Sequence, residues 1–500
     1  MIALAFAALL AVASCSMPVV AEEDEGFKLP VRINGTNTFL YRNFDQKFLD
    51  RNPDGNQDKW ELYNRTVLNI SRGPVLVGLQ FDFDRFDLRE GDQRLEKRYL
   101  EIRTRRLNVT FGDFFETFGR GTALSVAKTH ELYGLENMVD DTIDGARVRY
   151  STRRLRLEAL AGSVWDKALD STDRLYGASG EVRLSNWLRL GGSAVRGEME
   201  MENYDADVAG LRLGLKNLGG FADLTYEYTN LETSEPFTNG ADGGRAQYLE
   251  TLLQFGDLSL AAEYKDLENF FFKYSTTPLM EEESQELLAD FFARYAEDLE
   301  AFKLRGDYIL PNGTLVYAVY SHFNEKATRH PDYFRYDRDI DHLYAGFEHH
   351  FDCGLYLSTL LGRRWEEGRG YYYQFTGPTT HGAVRATLSL PKRFGLEFEY
   401  RRSQLDGDVV DYQRNKLALG LSRSQMFVLT GVWESSNLPI EMFFAGKENF
   451  YYGQLEIKIM KAHQLRILFG ETRGGVKCSG GVCKYVPAFK GIRFEAVIRF

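Results

Sequence analysis

The closing segment, Gly491-Ile-Arg-Phe-Glu-Ala-Val-Ile-Arg-Phe500, constrains the fold more than any other stretch of the chain. On a strand, Ile492, Phe494, Ala496, Ile498 and Phe500 share one face, while Arg493, Glu495 and Arg499 lie on the other with Val497 among them. A uniformly apolar face backed by a charged one suits a wall between lipid and water. The same alternation recurs through the chain. Arg154-Leu-Arg-Leu-Glu-Ala-Leu-Ala161 and Phe394-Gly-Leu-Glu-Phe-Glu-Tyr-Arg401 both show it. In Tyr451–Ile459, Leu455, Ile457 and Ile459 are expected outward, with Gln454, Glu456 and Lys458 inward.

From about residue 29 onward the pattern is strand, turn, strand. Short turns are expected near 72–74, 151–153, 186, 217–219, 256–257, 311–313, 352–354, 391–393, 422–424 and 461–462. Between them lie longer polar loops at about 43–58, 166–174, 198–204, 231–244, 270–298, 326–338, 437–446 and 475–484. Short turns at one end and long loops at the other predict an all-β fold, a single transmembrane antiparallel β-barrel of about 24 strands, within a range of about 20 to 26. Aromatic residues make up 14% of the chain, enough to furnish lipid-facing rows and two interfacial girdles. The mean hydropathy of −0.36 fits the same wall, because inward polar residues cancel outward apolar ones. Past the N-terminus no run of 18 apolar residues occurs, so a helical span is not expected.

Residues 1–21 are uncharged and apolar and end in Val19-Val20-Ala21, the pattern of a secretory signal cleaved before Glu22; residues 22–500 are then the barrel. Val12-Ala-Ser-Cys15 also matches a lipoprotein box, with Cys15 as the lipidated residue. Two connections stand out. Residues 113–141 are an insert that either narrows the lumen, where Asp113, Glu116, Arg120, Lys128, His130, Glu131, Asp140 and Asp141 would set selectivity, or plugs it with those charges paired. Residues 278–300 carry Leu287, Leu288, Phe291, Phe292 and Tyr295 at helical spacing behind Glu281–Glu283, which predicts a short helix in a long loop.

Asp50-Arg-Asn-Pro-Asp-Gly-Asn-Gln-Asp-Lys-Trp-Glu61 fits the twelve-residue calcium-loop pattern. Asp50, Asn52, Asp54 and Asp58, the Asn56 carbonyl and a bidentate Glu61 would ligate a structural Ca2+. The alternative is a polar external loop rich in turn formers, and no other cofactor is required. Cys478 and Cys483 are close in sequence and belong to an exported chain, so a small disulfide loop is expected ahead of a two-thiolate metal site. Cys353 is expected to be a lone thiol at a tight turn. The net charge of −11 argues against a nucleic-acid partner. No His-Glu-x-x-His or Gly-x-Ser-x-Gly occurs and the eight His are scattered, so no enzymatic activity is expected. No Cys-x-x-Cys-His occurs, so the chain does not itself attach c-type haem.

The closing strand resembles the C-terminal strand of bacterial outer-membrane barrels, which ends in Phe and serves as the assembly signal; Phe500 takes that role by resemblance. Two further segments resemble a largely uncharacterised family of outer-membrane barrel (porin-like) proteins. They are Gly112-Asp-Phe-x3-Phe118-Gly-x-Gly121 leading to Ile143-Asp-Gly-Ala-Arg-Val148, and Gly474-Gly-x-Lys-Cys478-x4-Cys483-x-Tyr-Val-Pro-x-Phe-Lys-Gly491. The resemblance implies a barrel in the outer membrane of a Gram-negative bacterium, with lipid and the barrel assembly machinery as partners, and no assigned reaction. The expected function is a channel for passive or gated passage of small polar solutes or ions. The alternatives are a sheath around a periplasmic or multihaem cytochrome partner in an electron-conducting assembly, and a plugged structural or adhesion barrel.

Overall fold

The structure, a computed structural model, describes residues 31–44, 60–86, 92–126, 142–166, 171–200, 204–235, 243–276, 280, 298–325, 337–369, 377–407, 411–424, 426–437, 449–459, 462–473, 475–479, 482–486 and 489–500. Among the described residues it is all-β apart from one 3-10 turn at Pro391–Arg393. Twenty-four strands form a single sheet, each antiparallel to its neighbours, from Arg32–Phe44 to Phe489–Arg499. Those two strands pair with each other, so the sheet closes into a barrel without free edges. Two hairpins stand apart from the wall, Glu116–Phe118 with Leu124–Val126 and Gly475–Ser479 with Val482–Val486. Among the described residues no helix is long and apolar enough to cross a membrane.

Strand alternation sorts the side chains. Leu211, Leu361, Leu419, Phe469 and Ile492 are exposed on the outer face. Outward aromatics gather near both ends of the strands, with Trp187, Phe221, Phe255 and Phe351 at the short-turn end and Trp165, Tyr176, Trp365 and Tyr451 at the loop end. An apolar band with a girdle at each rim is stable against lipid, so the wall spans a membrane. At a strand spacing of about 4.8 Å and a tilt of about 40°, 24 strands give a circumference of roughly 150 Å. Side chains from the wall alone cannot fill so wide an interior.

The closing strand behaves as its sequence predicts: Phe494 lies opposite Tyr41 on the outside and Glu495 opposite Leu40 on the inside. Phe500 completes the seam. Its N–H donates to the Gly35 carbonyl at 3.0 Å, and the Gly35 N–H donates to the Phe500 carbonyl at 2.7 Å. A Cβ on Gly35 would sit 2.6 Å from the Phe500 ring. Cys353 is a free, exposed thiol in the turn between Asp337–His350 and Leu355–Arg369. Of the expected 278–300 helix, Met280 and residues 298–300 are described. The chain is already strand from Leu299, so the expected helix does not extend to residue 300. The rest of it, and the 1–21 leader with Cys15, lie outside the described residues.

Candidate functional site: a hairpin docked inside the barrel

After Phe114 the chain leaves the wall and re-enters it at Ile143, which lies directly opposite Phe114 in register. In between, Glu116–Phe118 and Leu124–Val126 form a hairpin turned by Gly119-Arg120-Gly121. Gly119 and Gly121 have φ of 63° and 99°, the left-handed region that favours glycine. Close approach demands them as well. A Cβ on Gly119 would meet the Glu227 carboxylate at 2.5 Å, and one on Gly121 the Thr276 carbonyl at 2.6 Å.

The hairpin lies against inward-facing residues of the wall. Phe118, Ala123, Leu124 and Val126 are fully buried and cluster with Leu160, Leu175, Val195, Val208 and Leu231. A second segment, from the connection after Leu258–Glu268, supplies Phe270, Phe272, Tyr274 and Met280 to the same cluster. Backbone bonds join the two segments: Ser125 N–H donates to the Tyr274 carbonyl at 2.6 Å, and Thr276 N–H to the Gly121 carbonyl at 2.9 Å. The buried Asp173 carboxylate fixes the second segment to the wall, accepting from Tyr274 Oη at 2.6 Å and Lys273 Nζ at 2.7 Å. Together they build a small hydrophobic core inside the barrel, on the side between Ile143–Ser151 and Asp337–His350.

Ion pairs seat the base of the hairpin. Glu116, 3% exposed, meets Arg149 at 2.7 Å and Arg147 at 3.2 Å; Arg149 also pairs with Glu158. Arg147 donates to the Phe115 carbonyl at 2.9 Å and stacks over Phe114 at 4.8 Å. At the tip, Glu227 accepts from the Arg120 N–H at 3.0 Å and from the Thr122 hydroxyl. The Arg120 guanidinium reaches the Glu250 carboxylate and lies over the Tyr248 ring at 5.5 Å. The Arg120–Glu250 pair is about two-fifths exposed, so it borders open lumen, whereas the Glu116 group does not.

A Phe118→Ala chain should therefore lose about 3–5 kcal/mol of hairpin docking, because a fully buried ring leaves a cavity that the rigid wall cannot close. Limited proteolysis of the detergent-solubilised barrel checks this. Cleavage at Arg120 should become fast in the variant, and unchanged protection would refute the docking described.

Across the lumen the inward residues are charged and paired with mixed sign. Arg65 meets Asp82 at 2.6 Å and Arg466 meets Glu495 at 3.1 Å. Glu399 is surrounded by Arg401, Arg385 and Lys416. Near the loop end Glu434 pairs with Arg414 at 2.8 Å and Arg473 at 2.5 Å, and His342 Nε2 lies 2.7 Å from His381 Nε2.

These positions revise the expected selectivity set. Asp113 is not luminal. It shares strand parity with the exposed Phe111, and it accepts from Arg98 N–H at 2.8 Å and Thr142 Oγ1 at 2.9 Å on the outer side. Glu116 is luminal, but its charge is neutralised by two arginines, which makes it an anchor. Arg120 alone of the described set borders open space; Lys128, His130, Glu131, Asp140 and Asp141 lie outside the described residues. Glu227, Glu250 and Glu158 were missed, although strand parity marks all three as inward.

Of the expected calcium ligands, Asp50, Asn52, Asp54, Asn56 and Asp58 lie outside the described residues. Glu61 is buried and bound to Arg42 at 3.1 Å. Cys478 and Cys483 occupy directly opposite positions of the Gly475–Ser479/Val482–Val486 hairpin. Among the described residues one group has metal-ligand geometry, His322 with Asp339 and Asp341, on the outer face near the loop end. His322 Nδ1 is 3.5 Å from the Asp339 carboxylate and 3.2 Å from that of Asp341.

A closed barrel with an apolar outer band and a docked internal hairpin defines a porin-like transmembrane β-barrel. The chain belongs to the family of unknown function DUF6029, whose pattern matches residues 1–312 and 374–500. No curated protein matches it. Among solved structures it is similar to the translocation pore of the P pilus usher PapC, at 12% identity and a TM-score of 0.45, covering 94% of this chain and 99% of that one. It is also similar to OpdL of Pseudomonas aeruginosa (16% identity, TM-score 0.37, 67% and 93% covered). A third is Wzi of Escherichia coli, itself a carbohydrate-binding β-barrel (11% identity, TM-score 0.35, 67% and 80% covered).

Proposed function

We propose that the protein is an outer-membrane channel for small polar solutes or ions, with an aperture set by the docked hairpin. The observation that carries this reading is the one-sidedness of the interior. The hairpin and its companion segment cover apolar wall between Ile143–Ser151 and Asp337–His350, while the facing wall presents paired charges suited to water. Arg120 and Glu250, at the hairpin tip, are the groups a passing ion would meet. The signal at 1–21, the assembly role of Phe500 and a Cys478–Cys483 disulfide belong to the same reading, and the register of the two cysteines supports the last.

Single-channel current across a planar bilayer under a salt gradient tests it. Steady ohmic steps are expected, and Arg120→Glu should shift the reversal potential toward cations. Silence from folded protein would sink the channel and leave a plugged barrel, or a sheath whose partner is a multihaem cytochrome.

Orientation has its own check. In an outer membrane the short turns are periplasmic, so a membrane-impermeant maleimide should label Cys353 in permeabilised cells and leave it unlabelled in intact ones. Labelling in intact cells would invert the barrel.

A further inference from the structure

Charges on the outer face of the wall are mostly paired. Arg174 meets Glu198 at 3.7 Å, Arg196 meets Asp205 at 2.7 Å, and Arg245 meets Glu268 at 2.6 Å. Arg363 and Arg402 differ. Arg363 shares parity with the exposed Leu361 and Trp365, and Arg402 shares parity with the exposed Leu396 and Phe398, so both guanidiniums leave the wall on its lipid side. Among the described residues neither meets a carboxylate. Arg363 stacks over Trp365 at 5.1 Å, and Arg402 donates to Gln404 at 3.1 Å.

Both stand eight residues past the start of their strands, Leu355 and Phe394. That is roughly 26 Å of strand, or about 20 Å along the membrane normal at a 40° tilt, inside an apolar band about 25 Å tall. The arginines therefore lie at the outer interface, beside a loop-end girdle tryptophan. They are two strands apart and two residues out of register: Arg363 is opposite Thr380, which is opposite Gln404, while Arg402 is opposite Gly382, so their Cα atoms are about 12 Å apart, a gap two extended arginine side chains span. At about 4.8 Å per strand this leaves both within reach of one headgroup.

Toward the short-turn side of them runs a groove of about 920 Å³ on the same face. Val316, Ala345, Phe347, Leu361, Gly382 and Val384 line it, and Arg402 and Gln404 sit at one end. Gly382 and Ala345 hollow the wall on either side of Leu361, which is opposite both in register. An arginine at an apolar interface gains stability from an anion, and phosphate takes a guanidinium fork well. The nearest acidic groups on this face are Asp341, level with Trp365 and already bound to Tyr320 Oη at 2.6 Å and His322 Nδ1 at 3.2 Å, and Asp339 and Glu367, which lie opposite each other nearer the loop end.

We propose that this face is a lipid-binding site. Arg363 and Arg402 hold the phosphate of an outer-leaflet lipid, and one of its acyl chains lies in the groove bounded by Leu361, Gly382 and Val384.

Native mass spectrometry of the full-length folded barrel, released from detergent with bis-phosphorylated lipid A or its dephosphorylated form, tests this. The wild-type protein should retain the phosphorylated lipid at least tenfold better than the dephosphorylated one. R363Q/R402Q should lose that preference, and R174Q, at a paired outward arginine, should keep it. Gly382→Leu, which fills the groove, should weaken retention with both arginines present. Heat-modifiable gel mobility establishes that each variant is folded. Equal retention of the two lipids, or unchanged retention by R363Q/R402Q, would overturn the site. Displacement by millimolar inorganic phosphate alone would overturn the lipid as occupant and leave a phosphate site.

Discussion

Replacing residues 115–142 with a two-residue Asn-Gly turn should raise single-channel conductance roughly threefold, the order expected when an obstruction leaves a wide pore, with the barrel still folded. The geometry permits the excision. Phe114 and Ile143 are directly opposed, so a two-residue turn converts their strands into an ordinary hairpin without shifting register. All 24 wall strands keep their partners. The cost falls on the newly wetted Leu160, Leu175, Val208 and Leu231, and on Arg147 and Arg149, which lose Glu116. Burial of those side chains was worth about 1.5–3 kcal/mol each, so the excised barrel should also unfold at lower denaturant. Unchanged conductance in a folded excision variant would show that the hairpin does not set the aperture.

Deleting Phe500 is expected to reduce folded, heat-modifiable barrel in cells tenfold or more, while Phe500→Tyr assembles normally. In vitro the effect should be far smaller. The deletion removes two seam hydrogen bonds, worth about 1 kcal/mol each, and the cover of one ring, worth about 2 kcal/mol, against a wall held by strand pairs all round. A large loss in cells with a small loss on refolding into detergent would separate recognition by an assembly machine from stability. Equal losses in both would make Phe500 a structural residue only. Gly35→Phe probes the same contact from the other strand, because its side chain would occupy the place of the Phe500 ring.

Most of the wall was legible because a barrel strand must alternate and each reversal needs a turn. The failures have local causes. The reversal at 104–106 contains no glycine, proline or asparagine; instead the Thr104 hydroxyl bonds both the N–H and the carbonyl of Leu107 at 3.0 Å, closing the turn through a side chain. The connections at 87–91, 370–376 and 406–411 are absent from the expected loops although each contains a turn-forming glycine, Gly91, Gly370 and Gly407. Asp113 was placed in the lumen because Gly112 looked like the start of the insert, whereas the wall continues to Phe114. Strand parity tells which way Glu227 and Glu250 point but not what stands across the lumen from them. The partnership of the hairpin with Phe270, Phe272 and Tyr274 joins segments far apart in the chain, and no local pattern announces it.

The hairpin also imposes an order on biogenesis. Its apolar residues, Phe118 to Val126, come early in the chain, yet the surface that receives them is not complete until the strand holding Ile340 is in place. On the outer-membrane reading proposed above, the polypeptide until then crosses the periplasm with a greasy segment that no portion of itself can yet shelter. Holdase chaperones that bind unfolded clients should therefore grip this chain at the hairpin, and the final seating of the gate becomes a late event, coupled to closure of the wall around it.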